Sequence, residues 1–193
     1  MTEIVLASKS PRRIDLLKEL GIEFTAYSPD FEEKKESLAG ETPEEMVIYN
    51  AVGKAHEASR RFKNAIIIGV DTIGVSHGHI LGKPTDREDA KRLIRLISGT
   101  EHSVISGLCV MNSASGKTLT QSVETKVEME KIDEKDIQKY VDSGEGDDKA
   151  AGYAIQGKGS LFIKSITGDY FNVVGLPIYN LKKMLKEFGI DLL

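Results

Sequence analysis

The chain has 193 residues, 40% of them hydrophobic and 29% charged, which is the length of one ordinary domain or two small ones and excludes a disordered regulator. Its 26 Lys and Arg against 30 Asp and Glu leave a formal charge of −4, without the basic excess of a dedicated nucleic-acid binder. A few local cations could still hold an anionic ligand. The single Cys109 excludes an intramolecular disulfide, and its setting, GLCVM, reads as packing rather than as a nucleophile.

The opening residues MTEIVLASKSPRR place acidic Glu3 ahead of a short apolar stretch and cations after it, the reverse of a signal peptide. The longest apolar run, AIIIGV, falls far short of the about 20 residues of a membrane span. The expectation is a soluble, cytoplasmic protein.

Along the chain the apolar period switches between about 2 and about 3.6. Residues 3–8 predict a strand. Ser10 followed by Pro11 predicts a capped helix whose Ile14, Leu17 and Leu20 share a face and which Gly21 ends. Residues 23–28 predict a second strand, with an acidic loop around Asp30, Glu32 and Glu33 behind it. Thr42, Pro43 and Glu45 make a capping-box pattern that opens a helix running to about Phe62. Residues 65–75, AIIIGVDTIGV, predict a strand covered on both faces. SHGH predicts a turn, and ILGKP leads to a helix over about 87–98, capped by Asp86 and stopped by Gly99. Two alternating strands follow, over about 102–111 and 118–130, joined by the NSASGK turn. Asp133 caps a helix over 134–142. The glycine-rich GEGDDKAAGYAIQGKGS then leads to LFIKSI and YFNVVG, both predicted as strands around a TGD turn, and Pro177 opens the last helix. Strands and helices mix throughout without repeat or linker, so the expectation is an α/β or α+β mixed sheet in a single domain over 1–193.

Asp71 interrupts the apolar IIIGVDTIGV, where an unpaired carboxylate costs several kcal/mol. Two readings fit it: a functional carboxylate, or an acceptor of backbone hydrogen bonds at a bulge marked by Gly69 and Gly74. Arg12 and Arg13 fall in the first turn of the first helix, with Ser8, Lys9 and Ser10 beside them. Backbone N–H groups there attract anions, and cations there oppose the macrodipole, so the grouping resembles a phosphate cradle more than a solvated basic turn. Lys54 lies at the edge of the stripe Val47, Ala51, Ala55, Ala58 and Phe62, where a snorkelling surface lysine is the ordinary explanation. Gly152, Gly157 and Lys158 imitate a P-loop, but Gly159 replaces the hydroxyl and no strand precedes the loop, so that reading is rejected. His77 and His79 sit in the predicted turn without companions, and His56 and His102 lack the partners of a nucleophile system. What remains is acidic Glu33 and Asp71 for a hard divalent cation, with Arg12, Arg13, Lys54 and Lys83 for several phosphates. That combination fits polyphosphate hydrolysis.

LASKSPRRIDLLKELGIEF, GVDTIG, ILGKPTDREDAKRLIRLISG, DKAAGYAIQGKG and YFNVVGLPIY together resemble the Maf family of nucleoside triphosphate pyrophosphatases, in order from about residue 4 to residue 182. Two departures stand out: Gly74 where the family usually has a β-branched or apolar residue, and Ala151-Gly152 in place of the more usual Gly-Ala or Gly-Ser. Neither removes a polar group. The resemblance implies an α/β fold similar to the inosine-triphosphatase group, with two lobes and a cleft around an elongated mixed sheet. It also implies hydrolysis between the α- and β-phosphates, with Mg²⁺ or another divalent cation such as Mn²⁺ or Co²⁺, and often a homodimer. Asp71 takes the place of the family's proton acceptor, and Glu33 that of its glutamate. Arg12, Lys54 and Lys83 take the places of its phosphate-side cations. A septum-formation-type regulatory or nucleic-acid-binding protein is the alternative the family name carries.

Within that family the resemblance separates a dTTP- and UTP-acting type from a type acting on 7-methyl-GTP. They differ as SPRR against SPWR, DT against DQ, and IQG against an acidic residue followed by Gly. Arg12, Thr72 and Gln156 carry the pyrimidine pattern at all three places. The Gln156 amide both donates and accepts, matching the carbonyl and N3–H edge of uracil or thymine. The chain has no Trp to stack on a cationic methylated purine.

Overall fold

The computed structural model describes residues 2–193. Its first half forms β1 (Glu3–Ala7), α1 (Pro11–Glu19), β2 (Thr25–Tyr27), α2 (Pro43–Arg61), β3 (Ala65–Ser76), β4 (His79–Leu81) and α3 (Arg87–Ile97). Then come β5 (Glu101–Asn112), β6 (Thr118–Met129), α4 (Glu134–Asp142), β7 (Ile163–Thr167), α5 (Tyr170–Val174) and α6 (Ile178–Lys186). Two short 3-10 turns lie at Ala150–Gly152 and Lys158–Phe162. The strands make one seven-stranded mixed sheet in the order β2-β1-β3-β5-β6-β7, with β4 beside β3, as the α/β expectation requires. By contacts the chain divides into two compact units, Met1–Asp71 with Ser106–Val123 and Gly175–Leu193, and Thr72–Ile105 with Glu124–Val174.

In the first unit β1 pairs in parallel with both β2 and β3. Val5, Ala7, Ile67, Cys109 and Met111 pack there against Ala51, Ala55 and Ala58 of α2. The alanine stripe lets α2 approach closely, and two glycines permit it. A Cβ on Gly69 would stand 2.1 Å from the Ala51 carbonyl oxygen, and one on Gly107 2.3 Å from that of Val47. The start of α2 is fixed by a full capping box, Thr42 Oγ1 accepting from Glu45 N–H at 3.2 Å and Glu45 Oε2 from Thr42 N–H at 2.8 Å. Ser10 takes the N-cap position of α1 but makes no side-chain cap bond, contrary to expectation. Its own N–H is drawn instead to Ser8 Oγ at 3.2 Å.

In the second unit β3 turns into β4 through His77 (φ 50°) and Gly78 (φ 77°), a two-residue turn of the kind that suits right-handed strand twist. The turn is as expected, but Ile80 and Leu81, expected as a connection, pair with β3 as β4. Leu93, Ile94 and Ile97 of α3, Ile137 and Val141 of α4, and Val127 and Met129 of β6 share one core. Asp86 and Asp133 cap α3 and α4 as expected, each accepting an N–H at 2.8 Å. YFNVVG, expected as a strand, is helical as α5. Asp169 Oδ1 accepts from Phe171 N–H at 2.8 Å, and the buried Asn172 amide donates to the Val104 carbonyl and to Thr125 Oγ1, each at 3.0 Å. Those side-chain bonds outweigh the β-propensity of Tyr, Phe and Val. Similarly, Leu161 and Phe162 belong to a 3-10 turn, and the strand begins only at Ile163. Ala151 adopts a left-handed conformation (φ 57°), and a Cβ on Gly74 would lie 2.9 Å from its methyl carbon.

Candidate active site

Asp71 lies on β3 and is buried. Its Oδ1 accepts from Lys54 Nζ at 2.8 Å and its Oδ2 from Asn50 Nδ2 at 2.8 Å, both groups coming from α2. The Lys54 ammonium, buried as well, donates further to Glu33 Oε1 at 2.7 Å and to the Val70 carbonyl at 3.1 Å. All three of its hydrogens therefore have acceptors. It is part of the buried stripe rather than a snorkelling lysine, because two carboxylates and a carbonyl replace the water it gives up.

Arg13 reaches the same backbone from α1. Its Nη1 donates to Val70 O and to Ser8 Oγ, each at 3.1 Å, and its Nε to Gly175 O at 2.8 Å. Burial pulls the guanidinium down from 12.5 to about 10, Asp71 and Glu33 opposing the shift and Arg12 adding to it. It stays charged at neutral pH. The carbonyl before Asp71 thus receives two cations, which pins the strand at the carboxylate. Arg12 is half-buried in the same first turn, so Ser8, Arg12, Arg13, Glu33, Lys54 and Asp71 all belong to the first unit.

The loop that brings Glu33 is anchored on α2. The Phe31 ring rests on Gly53, whose missing Cβ would stand 2.1 Å from Phe31 Cζ. Lys34 packs over the Tyr49 ring at 4.0 Å and pairs with Glu41 at 2.9 Å. Asn50 clamps the Lys34 backbone, accepting its N–H and donating to its carbonyl, each at 2.9 Å. Asn50 and Phe31 went unnoticed in the sequence. The available signal for Asn50 was its place three residues after Val47 and four before Lys54, on the buried stripe of α2.

Thr72, Lys83 and Gln156 belong to the second unit. Gln156 is exposed on a loop tied down at both ends: Ala154 N–H donates to the Tyr140 hydroxyl at 3.0 Å, and Lys158 and Gly159 N–H to the Glu145 carboxylate at 2.9 and 2.8 Å. Tyr140 and Glu145, which the sequence did not single out, therefore anchor the backbone on either side of Gln156. Lys83 is exposed next to Gly82, whose carbonyl accepts Ala151 N–H at 3.0 Å. Thr72 is half-buried on β3.

Two carboxylate oxygens, from Glu33 and Asp71, already surround one cationic centre, the Lys54 ammonium. A hard divalent ion is often held by one or two carboxylates with substrate phosphates and water completing its shell, so this donor set fits such an ion when phosphate is present. Among the described residues no group of three or more His, Cys, Asp or Glu forms a self-contained cage. None of the described helices is long and apolar enough to cross a membrane.

The profile of the Maf-like protein family matches residues 3–188. The chain is 46% identical over 191 residues to the dTTP/UTP pyrophosphatase of Dictyoglomus thermophilum, covering 99% of this chain and 98% of that one. It is 45% identical to the protein of the same name from Pelotomaculum thermopropionicum, over 100% of both chains. With that from Methanosarcina barkeri the identity is 40%, over 100% of this chain and 97% of the other. Among solved structures it is similar to a nucleoside-triphosphatase / dITP/XTP pyrophosphatase from Mycobacterium abscessus at 16% identity and a TM-score of 0.43, over 67% of this chain and 75% of that one. From β1 to the last helix, this chain belongs to the Maf-like protein family.

Proposed function

We propose that this protein hydrolyses dTTP and UTP to the nucleoside monophosphate and pyrophosphate, as a nucleotide-pool enzyme of the cytoplasm and as a homodimer. The observation that carries the reading is Asp71, a buried carboxylate held by Lys54 and Asn50, with Glu33 on the same ammonium and Arg13 on the preceding carbonyl, in a chain whose full-length relatives bear the name dTTP/UTP pyrophosphatase.

In this reading Asp71 takes the proton leaving the attacking water while pyrophosphate departs with the electrons of the cleaved phosphoanhydride bond. A base so placed contributes roughly 10²–10⁴-fold. Arg12 and Lys83 bind the triphosphate, and Lys54, its hydrogens engaged by Asp71, Glu33 and the Val70 carbonyl, contributes its charge to stabilising the leaving group. Ser8 and Arg13 hold the β1–α1 turn and the Val70 carbonyl, so the base does not drift. Glu33 and Asp71 are the residues that would hold a divalent cation, Mg²⁺ with Mn²⁺ or Co²⁺ as alternatives. When bound, such an ion offsets phosphate charge. Arg12, Thr72 and Gln156 set the base preference, the Gln156 amide pairing with the alternating edge of a pyrimidine and leaving a guanine edge unmatched.

The test is a panel of dTTP, UTP, ATP, GTP and 7-methyl-GTP with Mg²⁺ or Mn²⁺, scoring pyrophosphate separately from orthophosphate. Pyrophosphate from dTTP and UTP, far above the purines, is expected, and Asp71→Asn should lower turnover by about 10² or more with the fold intact. Orthophosphate release, or equal kcat/KM for UTP and 7-methyl-GTP, would overturn the reading.

A further inference from the structure

Asn50 is an asparagine in the middle of α2, fully buried, where neither helix propensity nor the apolar stripe favours it. Both hydrogens of its amide and one acceptor site of its oxygen are used. Its Oδ1 accepts Lys34 N–H at 2.9 Å, and its Nδ2 donates to Lys34 O at 2.9 Å and to Asp71 Oδ2 at 2.8 Å. The Lys34 backbone fixes which way the amide faces. An N–H can meet only its oxygen and a carbonyl only its nitrogen, so the remaining N–H is aimed at Asp71.

The geometry points to Asn50 as a positioning residue for the hydrolysis, holding the Asp71 carboxylate and the Lys34 backbone in one rigid relation so that the base and the neighbouring Glu33 stay in register. This rests on the reading of Asp71 as proton acceptor. A mere anchor for the loop needs only the two bonds to Lys34. The third bond is the one that serves the carboxylate, because Lys54 occupies Oδ1 and Asn50 holds Oδ2. With both oxygens held, the plane of the carboxylate is set before substrate arrives, and a misplacement of a reacting group by about 1 Å can cost about 10²-fold.

The order of two variants separates positioning from anchoring. Asn50→Ala removes all three bonds. Asn50→Asp keeps an acceptor for Lys34 N–H but turns a like charge toward Asp71 in place of a donor. Initial rates of pyrophosphate release from dTTP with Mg²⁺ are compared for both, with Phe31→Ala as a loop control and Asp71→Asn alongside. Positioning predicts a kcat lowered about 10-fold or more in Asn50→Ala with KM within about 3-fold, and a kcat lower still in Asn50→Asp. Phe31→Ala, which loosens the loop without touching Asp71, should act mainly on KM. If Asn50→Asp outperforms Asn50→Ala, if the losses lie in KM alone, or if Phe31→Ala lowers kcat as much, the role is anchoring and the inference fails. Circular dichroism melting verifies the fold of each variant, and Asn50→Ser replaces the alanine variant in the same comparison should that one not fold. A fully active Asp71→Asn removes the proton-acceptor reading and this role together. An inactive Asp71→Asn with the reversed variant order removes this role alone.

Discussion

A lysine ammonium withdrawn from water has to be matched by negative charge, and Lys54 is matched twice, by Asp71 at 2.8 Å and Glu33 at 2.7 Å. Removing one partner of such a pair leaves a buried charge uncompensated, which costs about 3–5 kcal/mol, whereas removing both is far milder. Lys54→Met should therefore lower the urea midpoint strongly, and Lys54→Met with Asp71→Asn should recover much of the loss. Additive effects in that cycle would show that the two groups are not coupled. Asp71 was legible in the sequence as an acid out of place in a run of Ile and Val, although that run alone left a functional and a structural reading both open. Arg12 and Arg13 were legible because cations oppose the dipole at a helix start. Lys54 was legible only as a candidate cation at the edge of a stripe, and Asn50 not at all. Spacing could place them near an apolar stripe, but only the loop folded back over α2 supplies the carboxylate and the Lys34 backbone that let them be buried.

Among the elements, those with chemical punctuation read correctly. The capping box of α2 and the aspartates before α3 and α4 announced their helices in the sequence itself. α5 was misread because, beyond the local bond from Phe171 N–H to Asp169, it depends on bonds from Asn172 to Val104 and Thr125 that reach 68 and 47 residues along the chain. No local pattern reports such partners. A subtler pairing joins β3 to the loop after α4, where Gly74 leaves room for the methyl of Ala151. Restoring a side chain with Gly74→Val should cost about 1–3 kcal/mol by overpacking. In an Ala151→Gly background, where the methyl is gone and a left-handed φ is easy, most of that cost should vanish. Thermal melts of the two single variants and the double one measure it, and an undiminished cost in the double variant would place the clash elsewhere.

Across the molecule as a whole, the acid limit of stability has an identifiable contributor in His102. Its ring is buried, Nε2 meets the Tyr153 hydroxyl at 2.8 Å, and Nδ1 has no hydrogen-bond partner among the described residues. Burial pulls it down from 6.5 to about 4. The unfolded chain therefore takes up the proton first, so this contribution is complete above about pH 6.5 and is lost as pH falls toward 4, roughly 3 kcal/mol in all. Unfolding midpoints should drop across that window, and less steeply in His102→Gln; equal slopes would clear His102 of the effect. The mixed sheet was legible from alternating periods over the full length, since pattern rather than detail decides fold class. The contact between Gly74 and Ala151 also makes the order of exchange at the two positions matter. Enlarging position 74 while the Ala151 methyl is in place meets an occupied space, whereas removing that methyl first opens it, so the passable path between the two pairings is set by the fold.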